Sequence, residues 1–286
     1  MATNQMRREA AKRKLANQQK RREEQARKRK RVATIASAAA VVVVVAAVVL
    51  LTTAPWRSEG ATDQAAAPAA PAAPAAPAAP AAPAAPAGTV NCDYPTESDA
   101  AKPNTPPQAE AVSAQGTVAA SLTTSAGPIG LTLDRAEAPC TVNSFVSLAS
   151  QGYFDGTQCH RLTTGEGLKV LQCGDPSGQG TGGPGYTIPD EKPTTLVPAG
   201  TSGASVYPRG TLAMAKTSMP NSGGSQFFLV YADSQLPPEY TVFGTIDEAG
   251  LATIDQVAAA GANDSNGPGD GGPNTPVTIQ TATVSA

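Results

Sequence analysis

His160 and Arg161 stand side by side in a chain that has no second histidine. An imidazole beside a guanidinium invites an acid–base reading. With His160 as the sole imidazole, however, a Ser-His-Asp hydrolase and a histidine-rich metal site are both disfavoured. No Cys-x-x-Cys pair occurs, so no zinc site is expected. Taken alone, Arg161 reads as a surface arginine in a strand-edge ion pair. Phe227 and Phe228 are consecutive in an apolar run. In a strand, alternation sends them to opposite faces, so that one fills a core while the other lines a groove.

The elements that must position these residues are short. β-branched, apolar runs recur between turn residues and predict strands at 117–123, 128–134, 157–162, 168–174, 210–215, 225–230, 241–246 and 276–284. The first two form one hairpin and the next two a second, which carries Arg161 and Gln172. Pro139 opens a helix in which Val142, Phe145, Val146 and Ala149 share a face, and Gly152 stops it. A second helix is predicted over 250–260, with Leu251, Ile254 and Val257 at helical spacing. Eight strands and two helices point to a mainly β fold, a closed eight-stranded antiparallel barrel capped by two α-helices. Closure removes the sheet edges. Composition alone does not separate this from a sandwich.

The N-terminal part has a different composition. Residues 1–31 hold 13 Lys and Arg against three Glu, a charge of +10, so the rest of the chain carries −12. Residues 32–54 are uncharged; as a helix they span about 35 Å, enough for a bilayer core. Trp56 and Arg57 follow at the expected interface. The positive-inside rule then predicts a single-pass protein of the cell membrane, with a cytoplasmic N-terminus and an extracytoplasmic remainder. The alternative is a cleaved signal peptide, against which the long apolar run and Pro55 argue. Residues 1–31 are candidates for contact with anionic lipid or a solvated tail; with no interleaved aromatic residue, no nucleic acid is expected. Residues 65–87 repeat Ala-Ala-Pro, a polyproline II spacer reaching about 70 Å. The Pro-rich linker is placed at 55–111 and the folded domain at 112–286. Four cysteines in an oxidising compartment suggest two disulfides. Cys159 and Cys173 lie on the two arms of the second hairpin, which leaves Cys92 with Cys140; four buried or free thiols are the alternative.

Three segments resemble the cyclophilins. Cys159-His160-Arg161-Leu162 with Leu171-Gln172-Cys173-Gly174-Asp175 is similar to the family's Phe-His-Arg … Gln-Gly-Gly-Asp hairpin. Gly180-Thr181-Gly182-Gly183 resembles its Gly-rich loop. Met214-Ala215 and Asn221-Ser222-Gly223-Gly224-Ser225-Gln226-Phe227-Phe228 resemble Met-Ala-Asn … Asn-Gly-Ser-Gln-Phe-Phe, and Val242-Phe243-Gly244 matches a further strand. The order and length are similar to extracytoplasmic cyclophilins of actinobacteria. The resemblance implies a peptidyl-prolyl cis–trans isomerase acting on proline-containing polypeptides without a cofactor, and assisting the folding of exported proteins. It implies catalytic roles for Arg161, Gln172 and Phe228, and substrate contacts for Gln226, Val170, Leu168, Leu236 and Tyr240. Gly180 and Ala215 match positions where small residues admit substrate backbone, and His160 matches a structural position.

This sequence departs from the family pattern in places. The turn after Arg161 is longer, and Lys169 stands where an apolar wall residue is expected, which Leu168 is positioned to replace. Lys216 replaces the Asn after Met-Ala, Gln235-Leu236 replaces a tryptophan segment, and Tyr240 replaces a histidine. Lys169 and Lys216 favour the alternative function, a low-activity proline-peptide-binding or chaperone module. The Ala-Ala-Pro repeat, itself a string of X–Pro bonds, also raises recognition of the chain's own linker.

Overall fold

The computed structural model describes residues 87–200 and 203–285. The basic segment, the expected membrane span and the Ala-Ala-Pro repeat up to Pro86 lie outside the described residues. No helix among the described residues is long and apolar enough to cross a membrane.

The strands, in chain order, are β1 (Thr89–Val90), β2 (Val112–Ser113), β3 (Thr117–Thr124), β4 (Gly127–Asp134), β5 (Thr157–Gln158), β6 (Arg161–Thr163), β7 (Val170–Cys173) and β8 (Val197–Pro198). They continue as β9 (Ser205–Tyr207), β10 (Thr211–Met214), β11 (Phe227–Val230), β12 (Ser234–Leu236), β13 (Val242–Ile246), β14 (Asp270–Gly271) and β15 (Thr278–Val284). Two helices join them, α1 (Pro139–Ser150) and α2 (Glu248–Ala259). Both expected helices are present, and seven of the eight expected strands; the segment expected as the strand 157–162 is split into β5 and β6.

The closed eight-stranded barrel needs correction. Ten strands form one curled antiparallel sheet in the order β14-β6-β7-β11-β10-β13-β4-β3-β15-β5. β5 and β14 are its ends, and no pairing closes it. Residues 157–163 instead pass from one end of the ladder to the other. β5 pairs with β15, and two residues later β6 pairs with β7 and β14. A bend at Cys159-His160 thus breaks what was expected to be one strand, and the covalent chain joins the ends. β12, β9 and β8 form a separate three-stranded sheet.

Strand alternation divides the apolar residues between two clusters. Phe227, Leu229, Leu171, Leu212 and Met214 point into the main core with Phe145 of α1. Phe145 packs 5.0 Å from Phe154 and 5.4 Å from Phe227, ring centre to ring centre. Phe228, Val230, Val170 and Ala213 face the other way and form a smaller cluster with Tyr207. α1 has no side-chain cap of its own. The distant Glu191 supplies it, accepting from the Cys140 and Thr141 backbone N–H groups at 2.9 and 2.8 Å, which satisfies donors left open at a helix start.

Upstream of the expected boundary at residue 112, an arm from about residue 89 packs on the domain. Tyr94 is buried and donates to the Cys140 carbonyl at 2.9 Å. Lys102 donates to the Gly152 and Asp155 carbonyls. Proline-rich composition hid these contacts. The disulfides Cys92–Cys140 and Cys159–Cys173 are both formed. The first closes the longer loop, 48 residues of separation against 14. Replacing Cys92 and Cys140 by Ser is expected to lower stability by about 2–4 kcal/mol, more than replacing Cys159 and Cys173. Urea unfolding of the two double variants checks this; an unchanged midpoint for the first would show that the arm is not part of the cooperative unit.

Candidate active site

The register β6–β7–β11 builds the site. Arg161 on β6 lies opposite Gln172 on β7, and Gln172 opposite Phe228 on β11. Three residues from adjacent strands are thereby brought to one outer face without help from loops. Arg161, Val170, Gln172, Phe228, Leu168, Leu236, Tyr240, Ala215 and Lys216 line one pocket of about 240 Å³. Its apolar floor is Phe228, with the Tyr240 ring 5.6 Å away at 82°, an edge-to-face pair.

Arg161 is held on three donors. Nε donates to Asp270 Oδ1 at 2.8 Å and Nη2 to Oδ2 at 2.7 Å, a two-pronged ion pair, while Nη1 donates to Gln172 Oε1 at 3.3 Å. A guanidinium has five N–H donors, so two remain for a ligand. Gln172 Nε2 then donates to Gln226 Oε1 at 3.0 Å, and Gln226 Nε2 to the Gly182 carbonyl at 3.0 Å. One continuous chain of hydrogen bonds therefore runs from Asp270 to the Gly-rich loop. The Asp270 carboxyl lies below the usual carboxylate range, first because Arg161 donates to it, with Asn266 adding a further bond. The same bond raises the Arg161 guanidinium further.

Asp270 was not singled out in the sequence. It sits in a Gly- and Asn-rich stretch that shows no strand pattern, and its partner is 109 residues away. The stretch is shaped by its own side chains. Asn263 Oδ1 accepts from the Ser265 and Gly272 N–H groups, and Asp264 Oδ1 from Gly269 N–H. β14 is then short but fixed against β6. Tyr207 was missed as well, because three residues at β9 carry too little pattern. Its hydroxyl shares its one proton between the Pro237 and Tyr240 carbonyls and accepts from Tyr240 N–H, which fixes the loop carrying Tyr240.

Of the other expected residues, Gln226 and Gly180 line an adjoining pocket rather than the first one. Gly180 has φ +76°, and an added Cβ would lie 3.3 Å from the His160 ring. Both backbone shape and space thus favour glycine there. Neither nitrogen of His160 has a hydrogen-bond partner among the described residues. Burial pushes its pKa down, so the ring is neutral at neutral pH. Lys169 turns out of the pocket, with Nζ donating to the Thr164 carbonyl, while Leu168 lines it. Lys216 Nζ pairs with Asp190 at 2.6 Å, both side chains being less than a tenth exposed. Among the described residues no cluster of His, Cys, Asp and Glu could hold a metal ion.

A family model described as "Cyclophilin type peptidyl-prolyl cis-trans isomerase/CLD" matches residues 119–284. A "Probable peptidyl-prolyl cis-trans isomerase B" of Mycobacterium leprae is 57% identical over 196 residues, covering 67% of this chain and 65% of the relative. The protein of the same description from Mycobacterium tuberculosis is 54% identical over 195 residues, covering 66% and 62%. The match thus spans slightly less than two thirds of each relative. A crystal structure of a cyclophilin type peptidyl-prolyl cis-trans isomerase from Cryptosporidium parvum is 26% identical, covers 60% of this chain and 99% of that one, and has a TM-score of 0.49.

If Asp270 aims Arg161, Asp270→Asn will lower kcat/KM for an X–Pro peptide by about tenfold to a hundredfold, the scale for a misplaced catalytic group. It will cost less than about 1 kcal/mol of stability, since the pair is about a third exposed. A large stability loss with unchanged kcat/KM would assign Asp270 a purely structural role. The pH profile follows from the two shifts. With burial holding His160 below the ordinary imidazole pKa, kcat/KM is expected to be flat from about pH 7 to 8. The Asp270 pair is present above the ordinary carboxylate pKa and is lost only as pH falls through its depressed value. A step near the ordinary imidazole pKa would instead place His160 in the reaction.

Proposed function

We propose that this chain, which belongs to the cyclophilin-type peptidyl-prolyl cis–trans isomerase family, catalyses rotation about X–Pro bonds by non-covalent stabilisation of the twisted amide. The observation that carries the reading is a single pocket in which a fixed guanidinium stands beside an apolar floor.

The chemistry follows from the bond. Delocalisation of the nitrogen lone pair gives a barrier of about 18–20 kcal/mol, while the two isomers differ by only about 0.5–1 kcal/mol in X–Pro. At a quarter turn the overlap is lost and the lone pair is localised on nitrogen. A donor beside that nitrogen binds the twisted state better than either planar state, which is what lowers a barrier. Arg161 supplies the donor. Phe228, Val170, Leu168, Leu236 and Tyr240 take the pyrrolidine ring, which immobilises one side of the bond. Gln172 and Gln226 offer amides to the substrate backbone. No nucleophile and no proton transfer are needed, which fits a neutral His160 without a hydrogen-bond partner among the described residues. The planar fork matters, since it must bond Asp270 and substrate at once; a lysine has no such geometry.

The proposal extends to location and clients. The +10 segment, the uncharged 32–54 stretch and the Ala-Ala-Pro repeat favour a membrane-tethered isomerase facing an extracytoplasmic space, where it assists exported proteins. The two disulfides fit an oxidising compartment. External protease added to intact cells is expected to remove the domain while sparing an N-terminal fragment; complete protection would overturn this placement.

The cis-to-trans rate of an Ala-Pro peptide tests the reaction itself. The wild type is expected to accelerate it, and Arg161→Ala to lose about a hundredfold to a thousandfold in kcat/KM, the scale for one preorganised donor. Equal rates for the two proteins would remove Arg161 from the mechanism. A wild type no faster than the uncatalysed reaction would favour the binding-module reading, for which the Lys216 side chain in the pocket lining is the supporting observation.

A further inference from the structure

We infer that Glu97, on the N-terminal arm, makes the larger pocket beside the proline pocket select for a basic side chain of the substrate. The inference rests on the isomerase reading and adds a substrate preference to it.

The larger pocket has a volume of about 430 Å³ and shares Gln172, Ala215 and Lys216 with the proline pocket. A peptide whose proline sits on Phe228 therefore has a neighbouring side chain within reach of the second pocket. Residues 180–187 and 222–226 supply most of the rest of its lining, with Thr217 between them. Glu97 and Ser98 of the arm, which lies outside the 119–284 family match, complete the lining on one side. This wall is therefore particular to chains that carry such an arm.

The arm is fixed in place. Glu97 N–H donates to the Gly185 carbonyl at 3.1 Å, Ala101 N–H to Gly183 at 2.9 Å, and Thr187 N–H to Pro95 at 3.0 Å. The approach is close enough that a Cβ at Gly185, whose φ is +87°, would lie 3.0 Å from the Ser98 carbonyl oxygen. The Cys92–Cys140 bridge ties the arm's start to α1. An arm held this way keeps Glu97 at the pocket instead of letting it drift in solvent.

Charge decides what the pocket takes. Lys216 also lines it, but its ammonium is already paired with Asp190. Burial raises the Tyr186 phenol to about 12, so that group is neutral. Lys102, the arm's own cation, is turned to the Gly152 and Asp155 carbonyls. None of the ion pairs among the described residues involves Glu97. The lining therefore keeps one carboxylate outside any ion pair among the described residues, that of Glu97. A lysine or arginine side chain gains there, and a carboxylate is repelled.

The test uses the full chain with its disulfides formed. Ala-Pro peptides carry Lys, norleucine or Glu at each of two positions on either side of the Ala-Pro pair. At one position at least, the wild type is expected to favour Lys over Glu by about threefold to tenfold in kcat/KM at low salt, and the ratio should shrink toward one near 0.5 M salt, as ~4–5 Å screening requires. Glu97→Gln should bring the ratio close to that of norleucine over Glu, and Glu97→Lys should invert it. Asp93→Asn, which removes an arm carboxylate outside the pocket lining, should keep the wild-type ratio. An unchanged ratio in Glu97→Gln, or an equal effect of Asp93→Asn, overturns the inference while leaving the isomerase reading intact. If no peptide is accelerated, that reading has failed instead. The same ratios read as binding affinities by fluorescence anisotropy then decide the charge preference independently of turnover.

Discussion

A guanidinium is useful beside a rotating bond only if it stays put, and a long side chain at a surface does not do so unaided. Here one edge of Arg161 is clamped by the Asp270 carboxylate and a further donor is taken by Gln172. The remaining N–H groups are free to face the pocket. Much of the domain can be understood as support for that arrangement. β14 exists to bring Asp270 alongside β6, and the Asn263 and Asp264 turns hold β14 in register. The Cys159–Cys173 bridge ties the bend just before Arg161 to the strand that carries Gln172. Reading Arg161 as a strand-edge ion pair and reading it as a catalytic donor are then compatible, because in the proposed mechanism the pair aims the donor.

The second constraint is the two-sidedness of the sheet. Phe227 and Phe228 are adjacent in sequence yet belong to different apolar clusters. The inner one anchors α1 through Phe145. The outer one is the pocket floor and is itself supported by Tyr207 and Tyr240. The pocket is therefore one wall of a packed sheet, with side chains locked on both faces. A binding surface built on strands in this way is more rigid than one built on loops alone.

What was legible in the sequence was what local pattern encodes. Apolar runs located seven strands and the segment that splits into β5 and β6, helical spacing located α1 and α2, and hairpin arms placed Cys159 near Cys173. Arg161, Gln172 and Phe228 stand out in the sequence through their motifs, and register brings them to one face. What escaped was decided by partners far along the chain. Asp270 and Tyr207 sit on strands of two or three residues, too short for any periodicity to register. The cap of α1 comes from Glu191, some fifty residues downstream. The arm that walls the second pocket looks like linker because proline content masks a buried Tyr94. The eight-strand closed barrel failed for a related reason, since alternation shows where strands are but not that residues 157–163 bend and serve both ends of the ladder.

The most direct test is a structure of the chain with an Ala-Pro peptide bound. The account predicts the pyrrolidine ring on Phe228, the Asp270 clamp still closed, and an Arg161 N–H directed at the prolyl nitrogen. A ring bound elsewhere, or a guanidinium that leaves Asp270 and turns away from the peptide, would contradict it.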